Sequence, residues 1–127
     1  MLQQVDYVMV VVSDMDRSVE FYRDKLGLPL KFQSKDWTEF QTGPTTLALH
    51  GGGISQTPAA AESHGESFAG TCSIGFSVHD LQITHETLKA KGIQFVMAPT
   101  RRDGEGIELA VCVDPDGLPI SFARTLG

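Results

Sequence analysis

The sequence predicts an α+β fold in which two tandem βαβββ modules form a curled mixed sheet, shaped like a cup. The first observation is a repeat: an apolar strand-like segment, an Asp, an amphipathic segment and a Gly occur in this order at residues 7–27 and again at residues 73–92. The second is that further strand-like segments with turn signals follow both copies. Because internal repetition reveals architecture, we divide the single domain, residues 1–127, into modules 1–50 and 71–127, joined by a flexible linker, residues 51–70.

Composition and charge narrow the class of protein. The chain has 127 residues, 41% of them hydrophobic, which suits one compact domain, and no apolar run is long enough for a membrane span. The formal net charge of −6 argues against binding to nucleic acid or to an anionic membrane. Residues 1–12 lack the basic segment of a secretory signal, so we expect a cytoplasmic location. Cys72 and Cys112 lack the close spacing of a zinc site and are expected to be reduced thiols.

The first module is predicted from local signals. Residues 5–12 form a Val-rich apolar run, which predicts a strand covered on both faces. Asp14 offers an N-capping side chain for a helix over residues 15–26, and Gly27 is expected to end that helix with a positive φ. Three more strands are predicted, and the last two form a hairpin around a Gly43-Pro44 turn. These strands cover residues 28–33, 37–41 and 46–50.

The second module follows the linker and repeats this plan. Residues 51–70 have linker composition, with three glycines at residues 51–53, although their length keeps a lid or a short helix as an alternative. Residues 101–106 predict an exposed loop, and the sequence Asp114-Pro115-Asp116-Gly117 predicts a tight turn. A helix is predicted over residues 81–91, and strands over residues 71–78, 93–97, 107–113 and 118–124.

Strand alternation selects a candidate site. In residues 73–78, apolar residues alternate with Ser and Gly, and the apolar ones are expected to lie under the helix. The Ser and Gly positions then face away from the helix, and so do the corresponding residues of the first module. A two-residue hairpin turn sets Glu39 opposite Ala48, and Trp37 opposite His50. We therefore predict that six side chains project from one concave sheet surface and bind a ligand: Tyr7, Trp37, Glu39, His50, Ser73 and Ser121.

The repeat and two motifs resemble the vicinal oxygen chelate superfamily, which comprises glyoxalases, bleomycin resistance proteins and extradiol dioxygenases. The motifs are Val-Ser-Asp-Met-Asp-Arg-Ser-Val-Glu-Phe-Tyr-Arg-Asp-Lys-Leu-Gly-Leu at residues 12–28 and Val-Asp-Pro-Asp-Gly at residues 113–117. The resemblance covers nearly the whole chain. It implies that the two modules curl into a cup, commonly completed in a homodimer, and that enzymes of the family bind a divalent metal there.

The resemblance also implies where metal ligands would stand. In the family they are typically a His on the first strand of a module and a Glu or His on its last strand. The corresponding positions here are Tyr7, Ala48, Ser73 and Ser121. None of these is a usual ligand, because Ala has no donor atom and neutral hydroxyls bind transition metals weakly. We therefore expect no metal and no other cofactor, and a divalent metal bound by Glu39 and His50 is the alternative.

Two functions are open at this point. The first is a metal-free protein of the bleomycin-resistance kind that binds a small organic molecule. Because the candidate site offers aromatic faces and the carboxylate of Glu39, we expect its ligand to be planar or cationic. The second is a metal-dependent lyase or dioxygenase-like enzyme that uses His50 and Glu39. The missing donors at the four family positions favour the first, and a homodimer is expected because two small curled sheets need their edges and open faces covered.

Overall fold

The computed structural model describes residues 1–55 and 69–127. Its contacts divide the chain into two compact units, Met1–Gln56 and Thr57–Gly127, which we name unit 1 and unit 2. Each unit holds a four-stranded mixed sheet and a helix after its first strand, which confirms the α+β class and the two βαβββ modules. Of the predicted linker, residues 56–68 lie outside the described residues.

Unit 1 contains every element predicted for the first module. The elements are β1 (Tyr7–Val11), α1 (Met15–Val19), a π-helical segment (Glu20–Lys25), β2 (Leu30–Gln33), β3 (Trp37–Thr42) and β4 (Thr45–His50). The strand order in the sheet is β1-β4-β3-β2. Strands β1 and β4 are parallel, and the other neighbours are antiparallel. Both ends of this sheet are therefore edge strands, β1 on one side and β2 on the other.

The helical segment of unit 1 begins and ends at the predicted signals. Asp14 caps α1, and its carboxylate accepts a hydrogen bond from the backbone N–H of Arg17 at 3.2 Å. At the other end the N–H of Leu26 donates to the C=O of Phe21, which is the wider spacing of a π-helix. Gly27 then adopts a φ of 76°, a left-handed conformation that glycine reaches without a steric penalty, and the chain turns towards β2.

The core of unit 1 lies between the helical segment and one face of the sheet. Tyr22 and Phe40 are fully buried, and their ring centroids are 6.0 Å apart. Thr38 is buried on the same face of β3, and its hydroxyl donates to the sulfur of Met15 at 3.3 Å. Because side chains alternate along a strand, Trp37 points to the face away from the helix.

Strand β1 differs from its prediction. It is an edge strand, and three of its apolar side chains are exposed to solvent: Tyr7 is 57% exposed, Met9 44% and Val11 53%. The prediction that both faces of β1 are covered is therefore wrong. An apolar run shows that both faces of a strand are apolar, but it does not show which face is packed. Val10, on the face covered by the helix, is buried as predicted.

The first glycines of the predicted linker are held by the sheet of unit 1. The N–H of Gly51 donates to the C=O of Asp36, and the N–H of Gly53 donates to the C=O of Val12, both at 3.0 Å. A Cβ on Gly53 would stand 2.6 Å from the Cγ1 of Val11, so this close approach requires glycine. Residues 51–53 therefore form part of unit 1 and are not a free connector.

Unit 2 repeats the plan of unit 1. Its elements are β5 (Ile74–Ser77), α2 (Leu81–Ala90), β6 (Phe95–Arg102), a 3-10 turn (Asp103–Glu105), β7 (Ile107–Val113) and β8 (Pro119–Thr125). The strand order is β5-β8-β7-β6, with β5 and β8 parallel. Asp80 caps α2 by accepting a hydrogen bond from the N–H of Ile83 at 3.0 Å, as Asp14 does for α1. Across residues 1–55 and 69–127, none of the helices has the length and apolar character of a membrane span.

Two predicted boundaries in unit 2 are wrong. Strand β5 begins at Ile74, so Ser73 precedes the strand. Arg101 and Arg102 were predicted in an exposed loop, but they are the last residues of β6, and Arg101 pairs with Glu108 of β7. Charges and glycines indicated a loop at this place. The backbone ladder continues past them because main-chain pairing does not depend on the polarity of exposed side chains.

The predicted tight turn is confirmed. The N–H of Gly117 donates to the C=O of Asp114 at 2.9 Å, and the Asp114 carboxylate accepts from the N–H of Leu118 at 2.8 Å.

Burial raises the pKa of the neighbouring Cys112 thiol to about 12, and the charge of Asp114 adds to the shift. Cys112 is therefore a buried neutral thiol at physiological pH, whereas Cys72 is exposed.

Candidate ligand-binding site

The hairpin of β3 and β4 sets the register of the candidate site. Its turn is two residues long, and the strands pair Trp37 with His50 and Glu39 with Ala48, which confirms the predicted register. Strand β1 pairs with β4 on its other side and places Tyr7 on the same face. We name this surface, the sheet face away from α1, the open face. It carries Tyr7, Met9, Val11, Lys31, Phe32, Trp37, Glu39, Gln41, Thr46, Ala48 and His50.

Aromatic rings occupy the centre of the open face. The ring centroids of Tyr7 and Trp37 are 6.3 Å apart at an interplanar angle of 72°. Those of Trp37 and His50 are 6.1 Å apart at 86°. Both are edge-to-face arrangements, which aromatic pairs favour. The side chains of Met9 and Phe32 are also exposed, so the rings stand in a wider apolar surface.

Glu39 has two polar neighbours on the open face. Its Oε2 accepts a hydrogen bond from the indole N–H of Trp37 at 2.9 Å. Its Oε1 lies 3.7 Å from the ammonium of Lys31. That ammonium in turn donates to the hydroxyl of Thr46 at 3.1 Å. The polar side chains of this face are therefore linked to one another and to the aromatic centre. Tyr7, Trp37, Glu39 and His50, four of the predicted site residues, come together here.

Lys31 was not among the predicted site residues, and a β-bulge explains its position. Leu30 pairs with Phe40 and Phe32 pairs with Glu39, so Lys31 is the extra residue between two register positions. Simple alternation does not foresee an extra residue in a strand. No turn residue or glycine in this segment signalled the bulge, and Phe32 was missed for the same reason.

Lys31 also changes the charge of the open face. The expected preference for a cationic ligand rested on the aromatic faces and on Glu39 as an unopposed carboxylate. The ammonium of Lys31 now offsets that charge. The Lys31 and Glu39 side chains are 47% and 28% exposed, so solvent screens the pair and the attraction between them is weak. The contribution of Glu39 to a cation preference is therefore removed.

His50 has one ring nitrogen committed to the backbone. Its Nδ1 lies 2.7 Å from the C=O of Gly51. A carbonyl oxygen only accepts, so Nδ1 carries the proton and donates this bond. In the neutral ring, Nε2 is then left as an acceptor. His50 thus offers a hydrogen-bond acceptor of defined tautomer at the end of β4.

The two predicted serines belong to unit 2. Ser121 lies on β8 opposite Gly75, and a Cβ on Gly75 would stand 3.1 Å from the Ser121 hydroxyl. Ser73 is exposed just before β5. Because four of the predicted residues lie in unit 1 and two in unit 2, a single surface shared by all six stays a prediction.

Unit 1 also has a concavity that is separate from the open face. It is a cleft of about 820 Å³ beside the N-terminus of α1 and the connection between β2 and β3. It shares no residue with the open face, and the carboxylate of Asp14 in its wall already caps α1. The lining residues are Ser13, Asp14, Met15, Asp16, Gln33, Ser34, Lys35, Asp36, Gly51 and Gly52. Since small-molecule sites are predominantly apolar, the aromatic open face is the better candidate.

Comparisons with known proteins agree with this architecture. The family model for the Glyoxalase/Bleomycin resistance protein/Dioxygenase superfamily matches residues 4–122. The chain belongs to this superfamily. A lactoylglutathione lyase of Haemophilus influenzae is 31% identical over 94% of this chain and 90% of its own. A probable lactoylglutathione lyase of Vibrio cholerae is 31% identical over 93% of this chain and 88% of its own. The crystal structure of a glyoxalase/dioxygenase from Nostoc punctiforme has the same fold, with a TM-score of 0.78, 21% identity, and coverage of 98% of this chain and 92% of that one.

The four positions that the resemblance gives for metal ligands, all of them among the described residues, carry no usual metal ligand. Tyr7 and Ala48 stand at the two positions in unit 1, and Ala48 is fully buried without a donor atom. Ser73 and Ser121 stand at the two positions in unit 2. Across residues 1–55 and 69–127, no three His, Cys, Asp or Glu side chains are grouped so that they could hold a metal ion. The described side chains at these positions therefore do not make up the donor set of a metal centre, and binding without a metal stays a prediction.

Proposed function

We propose that this glyoxalase-superfamily protein binds a small organic molecule with a flat apolar part on the open face of unit 1, without a metal. The observation that carries the proposal is the aromatic pair of exposed Tyr7 and partly buried Trp37, 6.3 Å apart, beside exposed Met9 and Phe32. Covering apolar surface contributes roughly 25 cal/mol per Å² to binding before the entropic costs of association. Apolar walls with few convergent polar groups are the usual composition of a small-molecule site.

The polar groups of the open face are oriented before a ligand arrives. The bond from the Trp37 indole to Glu39 fixes both side chains, and the bond from His50 to Gly51 fixes the tautomer of the imidazole. Groups that are already ordered lose little conformational entropy on binding. The open face therefore offers aromatic surface together with directed hydrogen-bond partners.

The single tryptophan of the chain lies in the proposed site, so its fluorescence reports occupancy directly. We expect phenylpropionamide, a neutral probe with a flat ring, to change Trp37 emission saturably at micromolar to millimolar concentration. The curve should be the same after treatment with a chelator. Isothermal titration calorimetry provides the matching Kd. No saturable change up to millimolar probe would contradict the proposal, and loss of binding after chelation would contradict its metal-free form.

A lactoylglutathione lyase activity is the second candidate, favoured by the 31% identity to the Haemophilus influenzae enzyme. His50 and Glu39 would then serve as base or as metal ligands. Against this role, Lys31 places a positive charge 3.7 Å from Glu39, where a divalent ion would have to bind. Activity that appears on addition of divalent metal and disappears in His50→Gln would favour the enzyme over the binding protein.

We further propose that the protein is a homodimer. Both sheets are open, and they end in β1 and β2 in unit 1 and in β5 and β6 in unit 2. Unpaired sheet edges and exposed apolar side chains are the features that a second copy of the chain would cover. We expect light scattering at micromolar concentration to give twice the 13.8 kDa mass of the chain. The mass of a single chain under these conditions would overturn the dimer.

A further inference from the structure

Lys31 stands where a ligand entering the open face would meet it. Its side chain starts on β2, crosses β3 and reaches the Thr46 hydroxyl on β4 at 3.1 Å. Because β3 separates β2 from β4, the ammonium lies over the sheet and not at its rim. Nearly half of the side chain, 47%, is exposed to solvent. A charged group is therefore presented inside the aromatic surface.

The ammonium of Lys31 has donor capacity to spare. It carries three N–H donors, and Thr46 accepts one of them. Glu39 Oε1, at 3.7 Å, is beyond hydrogen-bond distance. The Thr46 hydroxyl, which accepts from Lys31, keeps its own O–H for donation. Two donors whose heavy atoms are 3.1 Å apart thus face the same side of the sheet.

Glu39 is less available to a ligand than Lys31. Its Oε2 is bound to the Trp37 indole, and its side chain is 28% exposed, against 47% for Lys31. An entering group therefore meets the ammonium before the carboxylate. An oxyanion gains a charge-assisted hydrogen bond from the ammonium, which a cation has no acceptor to form.

We propose that Lys31 and Thr46 form an anion-recognising subsite, so that the ligand carries a carboxylate or a similar oxyanion on a flat apolar body that lies against Tyr7 and Trp37. The inference rests on the proposed function and adds the chemical class of the ligand to it. Lys31 is then a specificity-determining residue. It selects among molecules that share the same apolar body.

Three probes with one aromatic body test the subsite: phenylpropionate, phenylpropionamide and phenylpropylamine. The wild-type protein is expected to bind the anion about tenfold more tightly than the amide, and the amine most weakly, because a hydrogen bond to a charged group is stronger than a neutral one. Lys31→Met keeps the length of the side chain and removes its charge. It should abolish the tenfold advantage of the anion, so that the Kd of the anion rises about tenfold more than the Kd of the amide. Fluorescence of Trp37 and calorimetry measure each Kd.

Lys35→Met is the matched control, since Lys35 is an exposed lysine that lines the separate cleft and not the open face. It makes the same change in net charge and should leave all three Kd values unchanged. Thr46→Val removes the second donor and should weaken the anion more than the amide. If the amide binds but the anion has no advantage, or if the two lysine variants weaken the anion equally, the subsite is refuted while the proposed function stands. If none of the three probes binds, both are refuted.

Discussion

Replacing Phe40 with alanine is expected to lower the free energy of unfolding of unit 1 by about 3–5 kcal/mol, because removing a large buried ring loses apolar burial and leaves a cavity. Phe40 is fully buried and packs against Tyr22 at a centroid distance of 6.0 Å. The total stability of a small domain is about 5–15 kcal/mol, so the loss is a large part of it. Urea denaturation followed by the emission of Trp37 measures the effect in the unit that carries the substitution.

Phe32 supplies the matched control for this substitution. It is the same residue type in the same sheet, but it is 52% exposed on the open face. Phe32→Ala is expected to change the free energy of unfolding by about 0.5 kcal/mol or less, as surface substitutions usually do. Equal losses in the two variants would show that the face covered by the helix is not the core of unit 1.

Local signals explain why so much of the fold is predictable from the sequence. Asp14 and Asp80 cap their helices through bonds to N–H groups three residues ahead, and Gly27 ends a helical segment through its own φ. Such contacts lie within one turn of the chain, so the sequence carries them directly. The exposure of Tyr7 on β1 depends instead on which elements pack against a strand. Apolar character alone does not contain that information.

The same distinction applies to the site. The pairing of Trp37 with His50 follows from the two-residue turn that joins β3 and β4, so it was predictable. Lys31 was not predictable, because its position depends on a bulge and its contacts with Glu39 and Thr46 span three strands. One unforeseen residue was enough to remove the contribution of Glu39 to the argument for a cationic ligand, since that contribution depended on the charge balance of the face.

Truncating Trp37 to alanine is expected to raise the Kd of phenylpropionamide about 30-fold, because contact tryptophans commonly contribute about 2 kcal/mol or more to binding. Calorimetry is the appropriate measurement, since the variant has lost the only tryptophan of the chain. The melting temperature should change far less than in Phe40→Ala, because Trp37 is only partly buried on the open face. An unchanged Kd in a folded variant would place the ligand away from this surface.

Trp37→Phe separates the contribution of the ring from that of the indole N–H. Phenylalanine keeps a flat aromatic side chain but leaves Glu39 Oε2 without the donor that now lies 2.9 Å away. The amide probe should therefore lose less than about tenfold in affinity, well short of the loss in the alanine variant. Once released from the indole, the Glu39 carboxylate is able to close the 3.7 Å gap to Lys31 and compete with an anionic ligand for the ammonium. Phenylpropionate should consequently lose more affinity than the amide, and calorimetric titration of both probes against this variant compares the two losses directly. Equal losses would mean that the indole does not hold Glu39 back from Lys31.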